Sequence, residues 1–452
     1  MPDLPELFRQ VDEAQNDIVA LEQALVRIPS VNTGFMPTGD ETPVCELARD
    51  FLAQDGIASE ILESAPNRGN LIARLEGRSG NAGLMFMSHT DVVPVEDDTK
   101  WRFPPFSATI ADDRVFGRGA SDCKGLLTAQ LMAVRILKRN GIELEDGLIL
   151  AAGADEEHGG RYGFGWLADN HPEKLAAPYA VNEGGGTPIQ AAGALTYVLG
   201  VGEKGRLQVE IDVKGTSSHA STPWQGTNAL FRLSRALSSI EGYDADRDTS
   251  GAIFDHLSTF AIEHKPSAEN VDDIIAEIET DNPRFASMLR ALSRMTLTPT
   301  MVRGGIKSNS VPESIRLTCD VRTLPHQDDE YVRQQLDEVL AEVPGISYEI
   351  DYMARPNSSP FDSPLSDSIR RVTGQALQRD DIQWVPAISN GFTDSRFTRP
   401  LGTVTYGFSG SHPDDDPMLN YTHGTNESVG IKSLVSGTKI MLGLACDMLA
   451  VK

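Results

Sequence analysis

Three apolar runs in the first half of the chain each break abruptly into acids or histidine. Leu84 to Met87 gives way to Ser88-His89-Thr90-Asp91. Gly147 to Gly153 gives way to Ala154-Asp155-Glu156-Glu157, and Tyr179 to Asn182 is followed by Glu183 and three glycines. Short apolar runs bounded by turn residues mark strands buried on both faces. A well-patterned helix at 126–138 and a short one at 163–169 lie among them. Strands alternating with helices predict a largely parallel α/β sheet, in which sites collect at the carboxyl ends of the strands. Acids crowded at such an end repel one another and lose solvation, which requires a cation or a function.

His89 and Asp91 alternate in extended chain and so share one side. That suits an imidazole on a metal with the carboxylate holding its other ring nitrogen. Alone, the triplet also reads as a strand end with two polar residues. Asp122, just before the 126–138 helix, reads either as a helix cap or as a ligand. Glu156 and Glu157 are expected to continue an extended chain and point apart.

Near residue 197 the pattern changes. Residues 206–213 alternate as a half-exposed strand. Helices at 226–241, 271–279, 284–294 and 327–342 and strands at 298–303, 314–321 and 346–352 follow. We divide the chain into a first domain, 1–200, an inserted α+β domain, 201–352, and a return to the first domain, 353–452. Other expected elements are helices at 11–28, 43–55, 364–378 and 427–449, strands at 70–75 and 402–408, and a loop at 388–396.

The balance of 40 basic against 65 acidic residues, a net charge of −25, disfavours nucleic acid and anionic membranes as partners. Cys45, Cys123, Cys319 and Cys446 are far apart and form no CxxC pair, as in a reduced cytoplasmic protein. The first ten residues have neither a basic nor an apolar leader pattern, and no run approaches a membrane span.

Five motifs occur in order: SHTDVVP, GRGASDCKG, DEEHGG, NEGGG and HGTNE. Together they resemble the dinuclear-zinc amidohydrolases that include aminoacylase, succinyl-diaminopimelate desuccinylase, carboxypeptidase S and glutamate carboxypeptidase. The resemblance covers nearly the whole chain. It implies a zinc-exopeptidase-like catalytic domain with a ferredoxin-like lid and dimerisation insert. It implies His89 and Glu183 on one metal, Glu157 and His423 on the other, Asp122 bridging both, Asp91 orienting His89, and Glu156 as general base. A set of His and carboxylate ligands suits two Zn2+, with Co2+ or Mn2+ as alternatives. Cys123 is expected to be a packing residue, and relatives carry a cis peptide after the bridging Asp.

The resemblance further implies a homodimer in which His219, from Gly215-Thr-Ser-Ser-His219, stabilises the oxyanion in the partner's site. By itself His219 reads as a solvated loop histidine. Asn309, Arg322, Gly391 and Arg396 are expected near substrate. Arg322 would clamp a carboxylate, or else pair with Asp320 along its strand. The expected activity is hydrolysis of an amide in a small peptide or an N-acyl amino acid. A deacylase of one biosynthetic intermediate and a catalytically silent binding relative are the alternatives. His158, His171, His256, His264 and His326 carry no motif and are read as surface or packing residues.

Overall fold

The computed structural model describes residues 2–451. Its larger sheet has ten strands. The centre is four neighbouring strands, Gly147–Gly153, Ala82–His89, Tyr179–Asn182 and Val404–Gly407, all mutually parallel. On one flank Gly69–Leu75 and then Ser59–Glu63 pair antiparallel. On the other flank lies Ala194–Glu203, antiparallel to Val404–Gly407, with Gln383–Ser389 parallel to it. The sheet is therefore mixed, with a parallel centre, rather than mostly parallel throughout.

Pleating explains the uninterrupted apolar runs. Leu84 and Phe86 join a core with Leu148 and Leu150 on one face, while Met85 and Met87 join Ile149 and Ala151 on the other. Successive side chains point to opposite faces, and here both faces are covered. Helices Gly125–Arg139 and Ile431–Leu449 pack side by side over the first face, with Leu4–Glu13 and Gln15–Val26 beside them. A Cβ at Gly443 would lie 2.4 Å from Val372 Cγ1, so this glycine lets helix Pro364–Leu377 come close.

Several expected elements are corrected. The first helix is two, broken at Ala14, whose backbone departs from helical geometry. The closing helix starts at Ile431 rather than 427, because Ser428–Gly430 pairs as a strand with Arg114–Phe116. The expected loop at 388–396 begins inside strand Gln383–Ser389.

The smaller sheet is four-stranded and antiparallel, in the order Thr296–Gly304, Ser314–Thr323, Gly205–Lys214, Ile346–Ala354. Helices Ala229–Glu241 and Asp329–Leu340 supply its buried face together with Leu207, Val209, Ile211 and Val213. Strand and helix order give the βαββαβ pattern of a ferredoxin-like fold. The chain passes between the two sheets at Lys204 and returns near Arg355. A helical segment, Val271–Asp281 with Pro283–Leu292, is added between the first helix and second strand of this domain. It shares a core with the 3-10 segment Ala252–Phe260, which lies against strand Gln383–Ser389, and with Val385 of the larger sheet.

Candidate metal and catalytic site

Because the four central strands are parallel, their carboxyl ends share one edge. His89 is the last residue of its strand, Glu183 is one residue past its own, and Glu156 and Glu157 follow Gly153 by a turn. The two glutamates do not continue an extended chain. Asp155 takes a left-handed conformation (φ +66°) and the chain coils into a 3-10 turn, Glu156–His158. The turn, not strand alternation, separates the two carboxylates.

Asp122 is not a helix cap. It lies three residues before helix Gly125–Arg139 with extended backbone angles, and the peptide bond to Cys123 is cis. Gly119, at φ +85°, turns the chain toward it, and a Cβ there would meet Val92 at 2.3 Å. The motif residue Glu427 fixes this segment. Its Oε1 accepts from the backbone N–H of Ser121 (3.0 Å) and of Asp122 (3.1 Å), and its Oε2 accepts from Arg118 Nη1 at 2.6 Å.

The two oxygens of Asp122 face different histidines. Oδ1 is 2.9 Å from His89 Nε2 and Oδ2 is 2.9 Å from His423 Nε2. Each histidine has its own glutamate. His89 Nε2 lies 3.5 Å from Glu183 Oε2, and His423 Nε2 lies 3.0 Å from Glu157 Oε2. Two half-sites thus share one carboxylate.

Asp91 does more than orient His89. Its Oδ1 is 3.5 Å from His89 Nδ1, which is closer to the Asp91 carbonyl oxygen, at 3.0 Å. The carboxylate also accepts from the backbone N–H of Glu156 (3.1 Å), that of Glu157 (3.2 Å) and Asn32 Nδ2 (2.9 Å). The carboxylate thus faces the Glu156–Glu157 turn as well as the imidazole. Asn32 also donates to Asp155 Oδ1, which takes Arg68 Nη2 at 2.8 Å, and Arg68 Nη2 reaches Glu41 at 2.9 Å. This wholly buried network escaped the sequence. Its only outward signs are the third acid of Asp155-Glu156-Glu157 and Arg68 just ahead of a strand.

The electrostatics are those of an over-acidic cluster. Burial raises Glu156 well above the ordinary carboxylate range, and Glu183, Asp394 and Glu157 add to the effect. Burial lifts Glu183 to about 7 and raises Glu157. Hydrogen bonds with Asp122 and Glu157 lift His423 to about 10. Glu157 Oε1 is buried without a hydrogen-bond partner. Such a set of oxygens and imidazole nitrogens fits divalent cations. Cys123 fits poorly as a further ligand. Burial pushes its thiol far above the usual range, and Sγ sits against the backbone N–H of His89 at 3.1 Å.

The sequence profile of peptidase family M20/M25/M40 matches residues 85–447, most of the chain. The chain belongs to that family. M20 peptidases are hydrolases of amide bonds, and this chain is such an enzyme by descent. It is 28% identical over 373 residues to a probable succinyl-diaminopimelate desuccinylase of Staphylococcus epidermidis, covering 82% of this chain and 84% of that one. An uncharacterized carboxypeptidase of Schizosaccharomyces pombe is 29% identical over 334 residues, 70% of this chain and 54% of the other. In fold the M20 chain is similar to an M20 metallo-carboxypeptidase of Sulfolobus solfataricus (TM-score 0.71, 21% identity, 95% and 98% of the two chains). It is similar also to human carnosine dipeptidase 1 (TM-score 0.65, 17% identity, 98% and 99%).

The remaining expected residues make no hydrogen bond or ion pair with this cluster. His219 is exposed, its Nδ1 2.7 Å from Ser221 Oγ. Asn309 is its neighbour, accepting from the backbone N–H of Ala220 at 3.0 Å. Arg322 is held by Asp320 at 2.6 Å and by the carbonyl of Asn390 at 2.6 Å, so the strand ion pair is formed. Gly391 is exposed, its N–H on Ser389 Oγ. Arg396 is buried between the rings of Phe392 and Phe397, with Nη1 and Nη2 lacking partners. Asp394, also buried, has both oxygens unpartnered and was missed by the sequence reading. Among the described residues no helix is long and apolar enough to cross a membrane.

Proposed function

We propose that this M20 enzyme hydrolyses the amide bond of a small peptide or an N-acyl amino acid, using two divalent cations, zinc by preference. One observation carries the reading: Asp122 offers one oxygen to the His89 and Glu183 side and the other to the His423 and Glu157 side. Cations held there would supply Lewis acidity to the scissile carbonyl and to the attacking water. Asp91 orients His89 and ties down the Glu156–Glu157 turn. Glu156 takes the proton of the attacking water and passes it to the leaving nitrogen. Its upward shift brings its proton affinity toward that of a base working near neutrality.

A free carboxylate on the substrate would be met by Arg396. The two unpartnered Nη atoms of Arg396 support that role. Arg322, from strand Ser314–Thr323, reaches the loop that carries Gly391 through the carbonyl of Asn390.

His219 and Asn309 act in a homodimer, across to the partner's site. In support, His219 is exposed, and apolar Trp224, Phe231, Met301 and Val302 stand exposed on the same domain. A second copy would cover them. Four buried, unpaired cysteines support a reducing, cytoplasmic setting.

The test is a screen of dipeptides and N-acyl amino acids with zinc-loaded protein, run beside metal analysis. Hydrolysis that depends on two metal equivalents is expected. Protein that binds no divalent metal overturns the reading.

A further inference from the structure

A cavity of about 500 Å³ opens beside Asp122 and Glu183, a size usual for small-molecule sites. Resting on the reading of those two residues as metal ligands, we infer that this cavity takes the acyl group of the substrate, and that this group is uncharged and largely aliphatic.

The argument is in the walls. The inner lining comes from Leu126 and Ala129 of one helix, Leu434 of the next, and Val198 of the larger sheet. Lysine, arginine and histidine are all missing from the lining residues. Two of the hydroxyls that line the cavity have acceptors already. Ser409 Oγ donates to the Gly185 carbonyl at 3.0 Å, and Ser433 Oγ donates to Asp415 Oδ2 at 2.7 Å. The nearby Arg114 is spent on Ser428 and Asn420. A second carboxylate, as on a succinyl group, would lose hydration here and meet no cationic side chain, only neutral groups such as Thr187 and Asn420. A neutral chain loses little and buries apolar surface.

Position decides which part of the substrate enters. The cavity mouth shares Asp122 and Glu183 with one half-site, so it adjoins the place of the scissile carbonyl. Its lining includes no residue of the 388–396 loop, where Arg396 lies. The two ends of the substrate are thereby separated: a carboxylate end toward the arginines and a neutral acyl end in the cavity. No lining residue comes from the smaller four-stranded sheet or its helices, so the inserted domain has no part in this selection.

The test compares N-acetyl, N-hexanoyl and N-succinyl derivatives of one set of amino acids on zinc-loaded enzyme, with metal content measured in parallel. The hexanoyl series is expected to exceed the succinyl series in kcat/KM by roughly a hundredfold, the order expected for an unpaired buried charge. Ala129→Phe, which fills the inner wall, lowers hexanoyl hydrolysis more than acetyl hydrolysis. Ile189→Arg, on the rim strand Pro188–Ala191, raises the succinyl-to-hexanoyl ratio and serves if Ala129→Phe fails to fold. A succinyl preference in the unaltered enzyme overturns the inference and leaves the hydrolytic reading intact. Failure to hydrolyse any of the three series with metal bound overturns both.

Discussion

The carboxylate of Asp91 accepts the backbone N–H of Glu157 at 3.2 Å while standing 3.5 Å from the ring of His89. One side chain therefore touches both half-sites, the imidazole of the first and the turn that presents the glutamate of the second. Asp91→Ala is expected to weaken both metals together, by roughly 10- to 100-fold, the usual effect of losing such a support. Competition against a chelator reads this directly. Loss at a single metal would mean that the Glu156–Glu157 turn holds without Asp91.

Glu156→Ala should keep both metals, since the half-sites use other side chains. Turnover should fall by roughly 10²- to 10⁴-fold, the range for a lost general base. Retained metal with unchanged hydrolysis would remove Glu156 from the mechanism.

Arg68 is fully buried against Glu41 and Asp155. Arg68→Met leaves two buried carboxylates without their cation and is expected to cost about 3–5 kcal/mol. Chemical denaturation measures it. Turnover should drop as well, because Asp155 starts the Glu156–His158 turn. The double variant Arg68→Met, Glu41→Gln should recover part of the stability.

Metal-free protein should lose stability relative to metal-loaded protein as pH rises. Burial lifts Glu183 from 4.5 to about 7, and its hydrogen bonds lift His423 from 6.5 to about 10. Both folded values lie above the unfolded ones, so the folded chain binds more protons. The Glu183 contribution is lost between pH 4.5 and about 7. That of His423 is complete below 6.5 and lost as pH rises through about 10. Metals compete with these protons, so the gap in Tm between metal-loaded and metal-free protein should widen from about pH 5.5 to about pH 8.5. A constant gap would contradict it.

Glu22 gives a second pH effect away from the metals. It is wholly buried, takes a hydrogen bond from Thr128 Oγ1 at 2.7 Å, and burial lifts its pKa to about 8. Stability is again lost as pH rises, from 4.5 through about 8. Lys124, lowered by burial to about 8, works in the opposite sense, only above that pH. Glu22→Gln should raise the Tm of metal-loaded protein near pH 8 and flatten its dependence below that. An unchanged slope would place the proton elsewhere.

Much of this site could be read from the chain because its side chains stand within a few residues of strand ends. A strand end is visible wherever an apolar run stops, as at Met87, Gly153 and Asn182. What Asp91 also holds was hidden, since its partners are backbone N–H groups 65 and 66 residues away. The Arg68 network was hidden for the same reason. Strand Gln383–Ser389 was obscured by Pro386, which an edge strand tolerates because one side of it is unpaired. Ser428–Gly430 is too short to show alternation. The break at Ala14 has no glycine or proline to announce it.

The added helical segment alters how the inserted domain can move. Ile275, Leu289 and Leu292 share one core with Ile253, Phe254 and Leu257 and with Val385 of the larger sheet, and Lys204 at the crossing point donates to the carbonyls of Ala291 and Arg294. A swing of the smaller sheet about its two connecting strands would have to drag this segment with it or strip it from Val385. The segment is thus a brace between the two sheets beside the Lys204 crossing. Moving one sheet against the other therefore costs buried apolar contact as well as the two hydrogen bonds of Lys204.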